Sequence, residues 1–143
     1  MQAGKVIRWD NFRDRQYGGD VKPRWFVCLG NTGLSSEYPD KRYYFHSTTT
    51  TPRIGIKHIL FKPSKYKFFT EPSYLYFNEG NYLFSTQDLN TKSVLIKGCI
   101  DHEDLKTVYL GILQEPKRRY SGIELLDIHA NLNSLGLCGL KKP

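Results

Sequence analysis

The spacing of apolar residues predicts a chain built mainly of short strands. Alternating apolar and polar side chains predict a strand over 4–9, and a nearly continuous apolar run predicts a second strand over 24–29, buried on both faces. Further strands, rich in aromatic and β-branched residues, are predicted at 42–49, 56–61, 68–77, 82–85 and 93–98. Residues 78–81 have the composition of a tight turn, so we expect 68–77 and 82–85 to form a hairpin.

Two segments near the end of the chain carry helical signals. Asp101 and Asp104 stand at N-cap and N3 positions ahead of apolar residues, although 109–114 fits a strand equally well. Ser121 and Glu124 form a capping box. Apolar residues at helical spacing follow this box, namely Leu125, Ile128, Leu132 and Leu135, and Gly136 ends the run. We expect this helix to pack on a small barrel or a highly curved sheet.

Length and composition fit one folded domain over 1–143. The chain has 39% hydrophobic and 24% charged residues, and no apolar run approaches the roughly 18 residues that cross a bilayer. The first ten residues contain no apolar segment typical of a secretory signal. We therefore expect a cytoplasmic protein without a membrane partner. The charged segment 11–20 and the segment 34–41 are predicted loops.

The spacing of cysteines and histidines argues against a metal or redox centre. Cys28, Cys99 and Cys138 form no CxxC pair, so we expect buried free thiols. The four histidines form no HExxH motif, and the P-loop, GxGxxG and GxSxG motifs are absent from the sequence. A nucleophilic role for Cys28 is not favoured, because this residue lies within an apolar strand. The sequence predicts no metal and no cofactor.

Positive charge is concentrated in one segment. The formal net charge is +7, and residues 41–70 hold seven basic and no acidic residues, while the rest of the chain is balanced. The same segment contains seven aromatic residues. Basic groups neutralise phosphates and aromatic faces stack unpaired bases, so this composition favours a single-stranded nucleic acid as partner. A β-rich core with a solvated lysine face explains the composition equally well.

Two strand ends carry side chains that suit a phosphate. Lys22 and Arg24 stand at the entrance to strand 24–29, and His46, Ser47 and Thr48 stand near the end of strand 42–49. If the two strands are neighbours, the arginine and a hydroxyl would face one phosphate. This set suits metal-free RNA cleavage, in which the substrate's 2′-OH attacks and an arginine stabilises charge on phosphorus. An exposed arginine beside an ordinary strand edge is the alternative interpretation.

The order of these motifs resembles the MazF/PemK (Kid-like) toxins of bacterial toxin–antitoxin systems. Four segments carry the resemblance: the first strand 4–10, the glycine-bearing loop and strand 18–29, the strand end 45–49 and the C-terminal helix 123–137. The resemblance implies a small SH3-like β-barrel with a C-terminal α-helix and, here, an aromatic-rich insertion around 52–92. It also implies a homodimeric endoribonuclease that cuts single-stranded RNA without metal and has an antitoxin protein as partner.

Residue by residue, the resemblance places the family's catalytic arginine at Arg24 and its threonine or serine at Thr48 or Ser47. The family's proline directly follows its arginine, whereas Pro23 precedes Arg24 in this sequence. This difference leaves Lys22 as a second candidate for the catalytic cation.

Further residues complete the predicted site, and two other functions remain open. His46 is a candidate acid or base, or else a structural histidine beside a hydroxyl. Lys22, Arg53 and Lys57 are predicted to guide the RNA strand. The alternatives are a barrel that binds single-stranded nucleic acid without cutting it, and a barrel that contacts another protein through the aromatic segment 66–84.

Overall fold

The computed structural model describes residues 1–15, 18–33 and 38–143, and within them the chain is mainly β. Its strands are β1 (Lys5–Arg13), β2 (Val21–Asn31), β3 (Arg42–Ser47), β4 (His58–Phe61), β5 (Ser73–Tyr76), β6 (Asn81–Ser85) and β7 (Val94–Cys99). Its helices are α1 (Thr86–Leu89), α2 (His102–Gln114) and α3 (Gly122–Ser134). The predicted combination of a mainly β chain and a C-terminal helix is confirmed.

The strands form two antiparallel sheets. Five strands pair in the order β6-β3-β2-β1-β7, and β4 pairs with β5 in a separate two-stranded sheet. The predicted hairpin around 78–81 is therefore wrong, because β5 and β6 belong to different sheets. In the described part of the chain the five-stranded sheet is open, with β6 and β7 as its edges.

The five-stranded sheet is strongly curved. Strands β1 and β6 are separated by β2 and β3, which would place them about 14 Å apart in a flat sheet. Yet the ring centroids of Trp9 on β1 and Phe84 on β6 are 5.1 Å apart, and those of Phe12 and Tyr82 are 5.6 Å apart. Aromatic side chains therefore fill the concave face, and the sheet bends around them.

Side chains of this sheet alternate between two apolar clusters. Val6 and Val27 point into the larger cluster, which also receives residues from β4, β5, α2 and α3. Ile7, Phe26 and Cys28 point into the smaller cluster on the concave face. All five are fully buried, so β2 is covered on both faces, as the apolar run predicts.

Both predicted helices form with the predicted caps. The Asp101 carboxylate accepts from the Asp104 N–H at 2.8 Å, and 109–114 is helical. The Ser121 hydroxyl accepts from the Glu124 N–H at 3.2 Å, and the Glu124 carboxylate accepts from the Ser121 N–H at 2.7 Å. This reciprocal pair of hydrogen bonds is the capping box that the sequence predicts.

Helix α3 packs on the five-stranded sheet, as predicted, and its contact there is with β2. Gly30 has φ +121°, and a Cβ at this position would collide with the Asn131 side chain. The Asn131 amide nitrogen donates to the Asn31 carbonyl at 2.9 Å, and its amide oxygen accepts from the Asn31 N–H at 3.2 Å. A glycine at this point lets the helix approach closely enough for its side chain to hydrogen-bond the strand backbone.

Several local predictions need correction. Strand β1 continues to Arg13, so 11–13 is not loop: a register shift after Trp9 turns Phe12 into the concave cluster. Cys28 is a buried free thiol, but Cys99 and Cys138 are exposed. Residues 16–17 and 34–37 of the two predicted loops lie outside the described residues.

The aromatic segment 66–84 is largely part of the core. Buried rings in this segment belong to Tyr66, Phe69, Tyr76, Phe77 and Phe84. These five rings are therefore not available as the contact surface that the protein-interaction alternative requires. Among the helices described, none has the length and apolar character needed to cross a membrane.

Candidate functional site

A pocket lies where the start of β2 meets the end of β3. Antiparallel pairing sets Phe26 opposite Ser47, and the Thr48 N–H donates to the Trp25 carbonyl at 2.9 Å. The cavity has a volume of about 160 Å³. Its lining combines cations and hydroxyls: Lys22, Arg24, Ser47, Thr48, Thr49, Arg53, Tyr76, Glu79 and Gly80. The structure thus brings the predicted Arg24, Ser47 and Thr48 into one pocket, together with the two predicted RNA contacts Lys22 and Arg53.

A second depression of about 180 Å³ adjoins this pocket. The two share four lining residues, Lys22, Arg24, Thr48 and Thr49. The second depression continues along the threonine run through Thr50 and Thr51 to Ser73. The cationic start of β2 is therefore flanked on both sides by concave, hydroxyl-lined surface.

The Arg24 side chain is anchored by a buried carboxylate. Its guanidinium forms an ion pair with Asp14 at 3.3 Å, and the side chains of Arg24 and Asp14 are only 16% and 2% exposed. The Tyr82 hydroxyl lies 3.0 and 2.9 Å from the two Asp14 carboxylate oxygens and donates to them. A carboxylate held from two sides restricts the positions that the guanidinium can take.

The connection between β1 and β2 places this carboxylate. The Asp14 N–H donates to the Asp20 carbonyl at 3.2 Å, and the Gly19 N–H donates to the Asp14 carbonyl at 2.6 Å. These hydrogen bonds close the base of the connection directly after β1. The backbone of Asp14 is therefore fixed at the same end of the sheet as the start of β2.

Ser47 and Thr48 are held by the backbone around them. The Ser47 N–H donates to the Gly80 carbonyl at 2.8 Å. Gly80 has φ +102°, and a Cβ there would lie 2.6 Å from the Ser47 Oγ. The Thr48 Oγ1 lies 3.5 Å from the Trp25 carbonyl oxygen. Glycine at position 80 therefore leaves room for the serine hydroxyl at the pocket wall.

The opposite wall of the pocket carries a second arginine. Arg53 is paired with Glu79, and its guanidinium lies 5.2 Å from the centre of the Tyr76 ring. The Arg53 N–H donates to the Tyr76 hydroxyl, which in turn donates to the Thr51 carbonyl at 3.2 Å. Glu79 thus adds a carboxylate to the pocket.

The two candidate cations on β2 differ in how they are held. Lys22 is exposed at the rim of both depressions. Arg24 is mostly buried and paired with Asp14. A guanidinium also presents a planar fork that matches two phosphate oxygens. Of the two, Arg24 is therefore the cation held in place within the pocket, and Lys22 is an exposed cation at its rim.

His46 lies outside the lining of the pocket. It is fully buried, with Nδ1 2.9 Å from the Tyr120 hydroxyl and Nε2 2.7 Å from the Tyr76 carbonyl oxygen. Because a carbonyl only accepts, Nε2 carries the proton and Nδ1 accepts from the tyrosine. Burial lowers the pKa of His46 to about 4, since the charged form would lose its hydration. This arrangement is that of a neutral structural histidine.

Lys57 also lies away from the pocket. It is exposed beside a separate groove of about 290 Å³ between residues 55–57 and the end of α2. The groove wall includes Phe77, Gln114 and Glu115. The structure therefore does not bring Lys57 together with Arg24, in contrast to Lys22 and Arg53.

The sequence analysis did not predict Asp14, Glu79 and Tyr82 as residues of this site, nor the pocket-lining Tyr76 and Gly80. Asp14 lies in a segment predicted as a loop, Glu79 lies in a predicted turn, and Tyr82 lies at the start of a predicted strand. Tyr82 reaches Asp14 across 68 positions in the chain. No local pattern encodes such a contact, although the turn glycines at 18 and 19 indicate that the chain reverses just after Asp14.

Among the described residues, no group of three or more His, Cys, Asp or Glu side chains is placed to hold a metal ion. Comparison of this chain with protein families, with curated proteins and with solved structures yields no match.

Proposed function

We propose that this protein is a metal-independent endoribonuclease toxin that cleaves single-stranded RNA, including mRNA. The observation that carries the proposal is the pocket in which Arg24, Ser47 and Thr48 meet, with the arginine fixed by a buried carboxylate. A guanidinium that is already in position stabilises developing negative charge without reorganisation. Lys22 and Arg53 supply further cations for neighbouring phosphates.

In the proposed reaction the substrate's 2′ oxygen bonds to phosphorus while the bond to the 5′ oxygen breaks. The products are a 2′,3′-cyclic phosphate and a 5′-hydroxyl. Arg24 binds two non-bridging oxygens of the phosphorane. Ser47 or Thr48 orients the 2′-OH and relays its proton to Glu79, which lines the same pocket. Lys22 donates a proton to the departing 5′ oxygen.

The proposed family is that of the MazF/PemK toxins, with their SH3-like barrel. The strong curvature of the five-stranded sheet and the C-terminal helix packed on β2 support this assignment. The proposed unit is a cytoplasmic homodimer, supported by Leu95 and Ile96, which are exposed on the edge strand β7. Light scattering tests the dimer. A small acidic protein encoded directly upstream would support the antitoxin partner, because its charge complements the cationic pocket.

The test uses a long single-stranded RNA in EDTA. We expect discrete fragments with cyclic phosphate and 5′-hydroxyl ends, and no cut where the ribose at the cleavage position is replaced by deoxyribose. Arg24→Ala should lose cleavage; because it leaves Asp14 uncompensated and lowers stability, its rate is measured at a temperature where circular dichroism shows the variant to be folded. The matched control is Lys57→Ala, which removes a cation outside the pocket. RNA that is cut by Arg24→Ala at the wild-type rate would remove Arg24 from the mechanism.

A non-catalytic module for single-stranded nucleic acid is the second candidate. It is favoured by the position of His46, the predicted acid or base, which is fully buried outside the pocket lining and hydrogen-bonded to Tyr120 and Tyr76. The same assay separates the two functions. Intact RNA, bound with an affinity that falls steeply with salt, would favour the module over the enzyme.

A further inference from the structure

Three aromatic rings follow one another along the outer face of the two-stranded sheet. The register of β4 and β5 sets His58 opposite Tyr76 and, on the other face, Ile59 opposite Leu75. The His58 ring centroid lies 5.3 Å from both the Tyr74 and the Tyr76 centroid. The Tyr74 and Tyr76 rings are 6.1 Å apart and nearly parallel, at 12°. We refer to His58, Tyr74 and Tyr76 as the aromatic ladder.

Tyr76 belongs to the core, whereas the other two rings of the ladder lie outside it. Leu75 and Phe61 occupy the opposite face of the same two strands and belong to the larger apolar cluster. Along the ladder, Tyr76 is buried, Tyr74 is half-buried and His58 is exposed. The outer two rings therefore present aromatic surface to solvent, and the innermost ring supports them.

The ladder is continuous with the pocket. Thr49 and Tyr74 form an isolated antiparallel bridge, in which each N–H donates to the other's carbonyl at 2.9 and 2.7 Å. Directly opposed residues on antiparallel strands point to the same side. Thr49 lines the pocket, so Tyr74 flanks the pocket on that side. Tyr76 lines the pocket itself and carries the Arg53 guanidinium over its ring.

Charge identifies the kind of ligand. The ladder begins in the segment 41–70, which contains seven basic and no acidic residues. Arg53 and Lys57 precede His58 within a few positions. Aromatic faces that adjoin a cationic and hydroxyl-lined pocket match the bases and phosphates of a single strand. In a duplex the bases are already stacked on each other and cannot reach such a surface.

We propose that the aromatic ladder is a stacking subsite for unpaired nucleobases next to the phosphate held in the pocket. The subsite rests on the proposed function only in taking single-stranded nucleic acid as its ligand, and it does not require cleavage. It selects unpaired over paired strands and tolerates any base, because every base offers a π-face.

The experiment measures binding without cleavage. The probes are fluorescent single strands of about ten nucleotides with 2′-O-methyl riboses, which cannot cyclise, and an abasic strand with the same number of phosphates. We expect the wild-type protein to bind the base-bearing strand about tenfold or more tightly than the abasic strand. Tyr74→Ala should remove most of this difference and leave the salt dependence unchanged, because no phosphate contact is lost.

The matched control is Tyr38→Ala. The Tyr38 ring also carries an arginine, with the Arg42 guanidinium 4.3 Å from its centre, but Arg42 opens β3 at the end far from the pocket. This variant should keep the full preference for the base-bearing strand. His58→Ala removes the exposed ring, should reduce the preference in the same direction, and replaces Tyr74→Ala if that variant does not fold.

The outcomes test the stacking subsite independently of the endoribonuclease activity. Equal affinity of the wild-type protein for both strands would overturn the subsite, as would equal effects of Tyr74→Ala and Tyr38→Ala. A preference that depends on Tyr74, with natural RNA left intact, would support the subsite and reject the endoribonuclease. Cleaved RNA without any such preference would do the reverse.

Discussion

The two walls of the pocket hold an arginine–carboxylate pair each, and the two pairs are built differently. On the β2 wall, Arg24 and Asp14 are 16% and 2% exposed, and Tyr82 donates to the carboxylate from behind. On the opposite wall, Arg53 and Glu79 are 43% and 24% exposed. The first pair is part of the folded interior, whereas the second is partly exposed at the pocket mouth.

The difference in burial separates a fixed charge from an exchangeable one. Exposed ion pairs are screened by salt and water and contribute about 1 kcal/mol or less. A buried carboxylate that loses its cation is left uncompensated, which costs considerably more. We therefore expect the Arg24 side chain to keep its position when a ligand binds or dissociates. Arg53 can leave Glu79 for a phosphate at low cost, which also frees Glu79 to accept a proton.

The largest expected difference between the two walls is in RNA cleavage. Arg24→Ala should lower the rate about 10²–10³-fold, the usual loss when one preorganised charge-stabilising donor is removed. Arg53→Ala should lower the rate about tenfold or less, because this arginine contacts a neighbouring phosphate and not the reacting one. Single-turnover rates on one RNA measure both. Equal losses in the two variants would mean that burial does not distinguish the two arginines.

The next largest effect is a pH dependence of stability that comes from His46 behind the second wall. Burial lowers the pKa of His46 from 6.5 to about 4, so the unfolded chain binds this proton more readily than the folded protein does. Stability from this group is complete above about pH 6.5 and is lost as the pH falls toward 4, by about 3 kcal/mol in total. The free energy of unfolding in urea should therefore fall between pH 7 and pH 5.

Substitutions assign this pH dependence to one histidine. His46→Gln should flatten the profile, whereas His102→Gln, at the exposed start of α2, should leave it unchanged. A wild-type profile that is flat over this range would mean that His46 keeps its ordinary pKa in the fold. Protonation at low pH adds a proton to Nδ1 and so removes the hydrogen bond that Nδ1 accepts from Tyr120, whereas the bond from Nε2 to the Tyr76 carbonyl is kept.

The contrast between the walls also explains what the sequence could predict. Arg24 and the hydroxyls at 47 and 48 were predictable, because each stands at the end of a strand with a clear local pattern. Their shared pocket follows if those strands are neighbours, which they are. Asp14 and Tyr82 were not predictable, since a contact between residues 68 positions apart depends on how the sheet curves.

The failed hairpin has the same physical origin. The turn composition at 78–81 is a local signal, and the chain does turn there. The strands on either side find other partners, because β6 pairs with β3 and β5 pairs with β4. Gly80 is then used not to close a hairpin but to accept from the Ser47 N–H at 2.8 Å. Turn chemistry predicts where a chain reverses, and packing decides which strands pair.

The smallest expected effect, and the most direct comparison of the walls, is in stability. Asp14→Asn keeps the shape of the side chain but removes the charge opposite Arg24, and we expect a loss of about 1–3 kcal/mol. Glu79→Gln makes the same chemical change in the exposed pair and should cost about 0.5 kcal/mol or less. Urea unfolding at neutral pH and two salt concentrations measures both.

Salt separates the two pairs even if the losses are similar in size. Screening weakens exposed ion pairs much more than buried ones, so added salt should erase the effect of Glu79→Gln and leave that of Asp14→Asn. If both effects vanish in salt, Asp14 is accessible to water and the Arg24 guanidinium is not fixed. Arg24 would then have no advantage over Lys22 as the charge-stabilising group, because its guanidinium would be equally mobile.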